Sequence, residues 1–145
     1  MTKATITLTC PPMAILHKGL RHWRTAVEQM VAQITFEDFT GLMLHQVTIP
    51  ETEIAVHLLQ FPTIATVAAC VGSGADGAGN SLGVALPAEP VVVEGGGLVA
   101  KAIVAPVILL RADGSKWTGN VTFPDCKVSG GTAATVTATG TLEKQ

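Results

Sequence analysis

The sequence predicts an α+β fold that is mainly antiparallel β, either a β-sandwich or a small barrel flanked by one or two helices. The clearest observation is residues 134–142, where apolar or small residues at even positions alternate with threonine at every odd position. A period of two residues is typical of a strand with one covered and one water-facing side. Residues 4–9 repeat the pattern, so the two terminal strands are candidates for one sheet. The 145 residues are expected to form a single β-rich structural domain, 1–145.

The helical part of the prediction comes from the first half of the chain. Seven apolar residues follow helical spacing and form one stripe: Leu16, Leu20, Trp23, Val27, Met30, Val31 and Ile34. A second helix is expected to start at residues 50–53, because proline suits the first turn and acids suit the positive end of the helix dipole. Ile54, Leu58 and Phe61 would continue its apolar side, and a short helix would follow over residues 63–71.

Residues 72–83 (GSGADGAGNSLG) predict a long glycine-rich loop. A loop of this length in a compact domain is usually functional or disordered, and we assign it a role in assembly. The residues assigned to it are Gly72, Gly74, Asp76, Gly77, Gly79, Asn80 and Gly83. Its first six residues match GxGxxG, but poor helix formers follow and no βαβ unit surrounds them, so a dinucleotide site is not predicted. A small binding or catalytic domain that uses this loop is the third-ranked hypothesis.

The second half of the chain predicts strands. Residues 91–93 and 98–110 are apolar on both sides, as expected of strands covered on both faces. Asp113 and Gly114 predict a hairpin turn in which both residues have positive φ. Residues 121–123 and 126–128 predict short strands separated by a break at Pro124, before the final threonine strand.

The composition indicates a surface that is covered by other molecules. Hydrophobic residues make up 48% and charged residues 14% of the chain, well below the usual charged share of about 25%. So few charges on a soluble monomer would leave wide apolar patches, which usually mark contact surfaces. The net charge of −2 argues against a general nucleic-acid binder.

The residues that usually carry catalysis or metal binding show no recognisable spacing. The three cysteines form no CxxC pair and predict reduced thiols in a cytosolic protein. The four histidines, His17, His22, His45 and His57, lack the local spacing of a zinc site. No GxSxG motif or Walker lysine is present. We therefore predict no catalytic residues, no metal and no cofactor, and a protein that is not an enzyme.

A membrane-associated protein is an alternative, and two long apolar stretches of the sequence bear on it. Ile54–Val71 has no formal charge over 18 residues, and Val91–Leu110 is also long enough to span a bilayer. The first contains histidine, glutamine and proline with acidic residues upstream, and the second contains Glu94, three glycines, Lys101 and Pro106. These features disfavour a spanning helix.

The last third of the chain resembles the closing region of bacteriophage tail tube proteins. The resemblance lies in the DG hairpin of residues 109–117, the FP-x-x-x-V step within residues 121–129, and the alternating strand of residues 135–142 that ends near GTL. The richness in alanine, glycine and threonine also resembles that of virion structural proteins.

The resemblance implies a β-sandwich or small barrel flanked by a helix, six copies of which form a ring. Rings stack into a tail tube in the virion, assembled in the host cytoplasm, and DNA passes through without specific binding. The implied partners are further copies of the chain, and the sheath, tape measure or terminator proteins of the tail. The early apolar stripe differs from such subunits, whose main helix lies further along the chain. A neck, terminator or capsid-decorating subunit is therefore the alternative role.

Overall fold

The computed structural model describes residues 2–10, 13–17, 22–25, 28–49, 53–57, 64–67, 69–94, 97–100, 102–129, 132–133 and 135–145. Every regular element in these ranges is a β-strand. In chain order the strands are β1 (Lys3–Cys10), β2 (Met13–His17), β3 (His22–Thr25), β4 (Glu28–Phe36), β5 (Gly41–Ile49), β6 (Glu53–His57), β7 (Ile64–Val67), β8 (Cys70–Ala75), β9 (Ser81–Leu86), β10 (Glu89–Glu94), β11 (Gly97–Ala100), β12 (Ile103–Leu110), β13 (Lys116–Phe123), β14 (Cys126–Ser129), β15 (Thr132–Ala133) and β16 (Val136–Lys144).

These strands form two closed antiparallel barrels of eight strands each. The first barrel has the order β1-β16-β13-β12-β9-β8-β5-β4, and the second has the order β2-β15-β14-β11-β10-β7-β6-β3. Each strand of the first barrel is followed or preceded, after two or three residues, by a strand of the second barrel. These sequence neighbours hold the same place in the two strand orders. The chain therefore makes eight long segments in up-and-down order, and each segment is interrupted once between the barrels.

Among the described residues, proline accounts for two of these interruptions. Pro87 and Pro124 stand between a strand of one barrel and its continuation in the other. Proline has no N–H to donate to a strand ladder, which favours a break in pairing, although Pro90 and Pro106 lie within β10 and β12. The predicted break at Pro124 is confirmed, since β13 ends at Phe123 and β14 begins at Cys126.

The core of the first barrel is filled by side chains from alternate positions of its strands. In β1 the side chains of Ala4, Ile6 and Leu8 are buried, and the residues between them are more exposed. Trp117 of β13 and Met30 of β4 are among the largest fully buried side chains. An eight-stranded barrel is just wide enough for side chains to fill its interior. The interior of the described part of this barrel is therefore filled with packed side chains.

Two glycines allow β13 and β16 to approach closely inside this barrel. A Cβ on Gly119 would collide with the backbone of Thr141, and a Cβ on Gly140 would collide with the backbone of Asn120. Only glycine leaves room for such close contact between backbones, and glycines of this kind allow a sheet to bend as it closes. A register shift between Met30 and Ala32 adds a β-bulge in the β4–β5 pair.

The predicted α+β class is wrong, because the described chain contains no helix. The stretch given to the first helix forms β2, β3 and β4 instead. In β4, Met30 and Ile34 lie on one face in either structure, since a spacing of four residues fits both periods. Ala32 and Phe36 are also buried on that face, which only a period of two explains.

The second predicted helix is wrong for a related reason. Residues 53–57 and 64–67 are strands β6 and β7, paired with each other from Ile54↔Val67 to His57↔Ile64. Proline and acids before an apolar run also suit the end of one strand and the start of the next, so this helix-start signal was not specific. Among the described residues no helix is long and apolar enough to cross a membrane.

The structure pairs the two terminal threonine strands directly. β1 and β16 are antiparallel neighbours along their whole length, from Lys3↔Glu143 to Cys10↔Val136. Threonine stands opposite threonine at three successive outward positions, of which Thr7↔Thr139 is the central pair. Cross-strand pairs of this kind stabilise a sheet through packing and hydroxyl contacts. The matched patterns at the two ends of the chain therefore reflect one shared surface.

Candidate assembly surface

The outside of the first barrel carries a group of large apolar side chains. Val71 on β8 and Val104, Ile108 and Leu110 on β12 are between 45% and 59% exposed. We call these four residues the outer apolar surface. Strand β9 lies between β8 and β12, and none of the three strands contains a charged residue. The sequence predicted that residues 98–110 are covered on both faces, but within one chain the outward face of β12 is open.

Small residues on β9 and β8 make a groove beside this surface. Gly83 pairs with Ser73 on one side and with Ile108 on the other, so these three residues form one row across the strands. The groove has a volume of about 520 Å³ and is open to solvent. Its lining residues are Ser73, Gly74, Ala75, Ser81, Leu82, Gly83, Ile108 and Leu110. A shallow, uncharged concavity with aliphatic walls suits a flat apolar group.

Three turns at one end of the first barrel share one geometry. In each turn the amide of the first residue donates to the carbonyl of the fifth, in the pairs Phe36–Thr40, Asp76–Asn80 and Arg111–Ser115. The fourth residue of each turn has positive φ: Gly79 at 94°, Gly114 at 85° and Phe39 at 64°. Asp113 does not share this conformation, so the predicted hairpin is confirmed but only Gly114 has the positive φ expected of both residues.

Phe39 is the exception among these turns. Two of them have glycine at the left-handed position, where the lack of a Cβ removes the steric penalty. The third has phenylalanine, and its side chain is 89% exposed. The turn around it is well fixed: the Phe39 amide donates to the Phe36 carbonyl at 2.8 Å, and the Asp38 carboxylate accepts from the Thr40 hydroxyl at 2.6 Å. The chain thus presents an aromatic ring to solvent from an unfavourable backbone conformation.

The turns are tied to each other and to the core below them. The Ala112 amide donates to the Asn80 side-chain oxygen at 3.0 Å, which joins two of the turns. The Arg111 guanidinium carbon lies 4.1 Å from the centre of the Phe36 ring. This contact joins the third turn to the other two. A cation over an aromatic face is attracted by the ring quadrupole. The hairpin end of the barrel is therefore a connected rim from which Phe39 projects.

Each turn also carries an aspartate that accepts hydrogen bonds from its own turn. The side chain and backbone of Thr40 lower the pKa of Asp38, and the side chain of Asn80 and the amide of Ala78 lower that of Asp76. The hydroxyl and amide of Ser115 lower the pKa of Asp113 in the same way. Hydrogen bonds to a carboxylate favour its charged form. These acids therefore hold the turns and offer no sign of acid–base catalysis.

The residues predicted as an assembly loop are divided among three environments. Gly72 is buried, with the Met30 and Val47 side chains beside the position that a Cβ would take, and it belongs to strand β8. Gly74 and Gly83 lie in strands and line the groove. The remaining four, Asp76, Gly77, Gly79 and Asn80, form the turn between β8 and β9. The long loop is therefore a β-hairpin, and its role in assembly stays a prediction.

Phe39 and the outer apolar surface were missed as candidate residues. The signal for Ile108 and Leu110 was present, because β12 is apolar at both inward and outward positions. It was interpreted as a strand buried in its own fold, although a surface covered by another chain gives the same pattern. For Phe39 the signal is an aromatic residue after two acids and before Thr40 and Gly41, where a turn normally has glycine or asparagine.

The described residues contain no group of three or more histidine, cysteine, aspartate or glutamate side chains that could hold a metal. The side chains of His17, His22, His45 and His57 lie outside the described part of the chain. Cys10 and Cys70 are half-buried and pack against the core of the first barrel. Comparison of the chain with protein-family models, with curated proteins and with solved structures finds no match.

Proposed function

We propose that this protein is a non-enzymatic structural subunit that assembles with copies of itself. The observation that carries the proposal is the outer apolar surface, four aliphatic side chains on uncharged strands of a closed barrel. Covering a half-exposed valine, leucine or isoleucine contributes about 1 kcal/mol, so together they supply a substantial driving force for association. Contiguous apolar patches on soluble proteins usually mark interaction sites.

The barrel changes the kind of contact that such an assembly uses. Exposed strand edges are one route by which copies of a β protein associate. Every strand of the first barrel has a partner on both sides, and a closed barrel leaves no edge for another strand to join. Contacts between copies therefore use the outward side chains and the turns instead of strand addition.

Within this proposal, the role we favour is the phage tail tube. It is supported by the resemblance of the last third of the chain, in which a hairpin at Asp113–Gly114 and a final threonine-rich strand both occur at the expected residues. A tail tube subunit would form rings of six that stack around passing DNA, in contact with sheath, tape measure or terminator proteins. A mildly acidic chain suits a conduit that does not hold DNA. A neck, terminator or capsid-decorating subunit would use the same surface in a different assembly.

The test is the mass of the protein in solution as a function of concentration. Sedimentation velocity of the wild-type chain is expected to show species larger than a monomer, and negative-stain images are expected to show rings or tubes. The variant with Ile108→Thr and Leu110→Thr has β-branched threonine at both positions, which suits an exposed strand, and is expected to remain folded but monomeric. Val31→Thr, on β4 at 39% exposure, is the matched control and is expected to assemble. A wild-type protein that stays monomeric at its highest soluble concentration rejects the proposal.

A further inference from the structure

The Phe39 turn differs from its two counterparts in having a side chain at its left-handed position, which the fold does not require. Its backbone hydrogen bonds and its aspartate–hydroxyl contact repeat those of the turn at residues 111–115, where Gly114 stands at the position of Phe39. Glycine would satisfy the same backbone geometry without steric cost. The phenyl ring makes no contribution to the core, since it is 89% exposed. Its presence therefore calls for a role outside the single chain.

A matching concavity exists elsewhere on the same chain. The groove beside the outer apolar surface has Gly83 at its centre, and a Cβ placed there would meet no atom within 4 Å. Ile108 and Leu110 provide aliphatic walls, and Ser73 and Ser81 are small. Aromatic rings pack well over glycine in a strand, because the ring covers backbone that has no side chain of its own. Phe39 does not occupy the groove of its own chain, since its side chain is almost fully exposed.

We propose that Phe39 of one copy inserts into the groove over Gly83 of a second copy. The proposal rests on the self-assembly proposed above and gives the contact that drives it. An aromatic side chain buried in an apolar pocket at the centre of a contact is the usual form of an interaction hot spot. The projecting residue and the groove are different surfaces of the same chain, and we place the contact head to tail: one insertion leaves a free groove on one copy and a free Phe39 on the other, so the contact propagates from copy to copy into a ring or a filament.

The experiment uses two variants that leave the fold unstrained. Phe39→Gly removes the ring and recreates the turn at residues 111–115, and Gly83→Val fills the groove where the structure has open space. Each variant alone is expected to weaken self-association at least tenfold, roughly the loss of one hot-spot residue. Phe39→Tyr keeps the ring and is expected to assemble like the wild type. Circular dichroism and thermal melting establish that every variant is folded.

Mixing the two variants gives the decisive result. The Phe39→Gly chain retains an open groove and the Gly83→Val chain retains its ring, so an equimolar mixture is expected to form a one-to-one dimer that neither variant forms alone. Assembly of either single variant at wild-type strength overturns the inference, and so does the absence of a mixed dimer. These results leave the self-assembly of the wild type intact. A wild-type chain that is monomeric throughout rejects self-assembly itself, so the two failures are distinguishable.

Discussion

Trp117 and Phe36 pack edge to face, with ring centroids 5.1 Å apart and an angle of 65° between their planes. Trp117 is fully buried, and its indole N–H donates to the Ser115 hydroxyl at 3.0 Å. Phe36 also receives the Arg111 guanidinium on its ring. This group of aromatic and charged side chains connects the core of the first barrel to the turns above it, including the turn that begins at Phe36 and carries Phe39.

The first prediction concerns Phe36 and Phe39, which lies three residues further along the same hairpin. Phe36→Leu is expected to lower the free energy of unfolding by about 1–2 kcal/mol, because it removes the edge-to-face contact and the cation–π contact from a buried position. Phe39→Leu, in the same hairpin, is the matched control and is expected to leave the stability of the monomer unchanged. Urea unfolding at low protein concentration measures both. A control as destabilised as Phe36→Leu would contradict the assignment of Phe39 to the surface.

The second prediction concerns the close approach of β13 and β16. Gly119→Ala and Gly140→Ala are each expected to cost about 2 kcal/mol or more, because the added methyl group meets the backbone of the adjacent strand. In a chain of this size each kcal/mol lowers Tm by about 3 °C. Gly83→Ala is the control, since its Cβ has open space, and is expected to raise the stability by about 0.5 kcal/mol. Equal effects at all three glycines would contradict the close approach of Gly119 and Gly140 to the backbone of the adjacent strand.

The third prediction concerns acid. The hydrogen-bonded turns lower the pKa values of Asp38, Asp76 and Asp113 below the ordinary value of 3.8. A folded-state pKa below the unfolded one means that the unfolded chain binds more protons in acid. The stability from these turns is therefore present above about pH 4 and is lost as the pH falls through the folded-state pKa values.

The test of this acid sensitivity compares the wild type with a variant that carries Asn at all three positions. Asparagine keeps an oxygen that accepts hydrogen bonds but has no charge to lose. The decrease in Tm between about pH 5 and about pH 2.5 is expected to be smaller in the variant than in the wild type. Parallel decreases in the two proteins would show that these aspartates are not the acid-sensitive groups.

The fourth prediction concerns the contact between β5 and β8 in the first barrel. Among the described residues one registered pair, Thr48↔Ser73, joins these strands, whereas β1 and β16 are paired from Lys3↔Glu143 to Cys10↔Val136. Local opening occurs first in the parts of a structure that are held by the fewest protected backbone hydrogen bonds. In hydrogen–deuterium exchange, peptides from β5 and β8 are expected to take up deuterium before peptides from β1 and β16. Uniform protection around the barrel would contradict this order of opening.

Residues near the two termini were predictable because their pattern is strict. In β1 and β16 every outward position is threonine over several residues, and no helix produces that alternation. The hairpin at Asp113–Gly114 was also predictable, since glycine after aspartate between apolar runs favours a turn. In β4, by contrast, Met30 and Ile34 satisfy both periods, and the decision between helix and strand depends on pairing with distant residues.

The sequence by itself determined where strands at the two ends of the chain lie, that Pro124 separates β13 from β14, and that the chain is poor in charge. Only the tertiary structure decided that the strands close into barrels, that Ile108 and Leu110 face outward, and that Phe39 takes a position suited to glycine. The physical reason is that alternation is a local property of the chain. Barrel closure depends on partners such as Lys3 and Glu143 that are far apart in sequence, and the exposure of a side chain depends on which strands surround it.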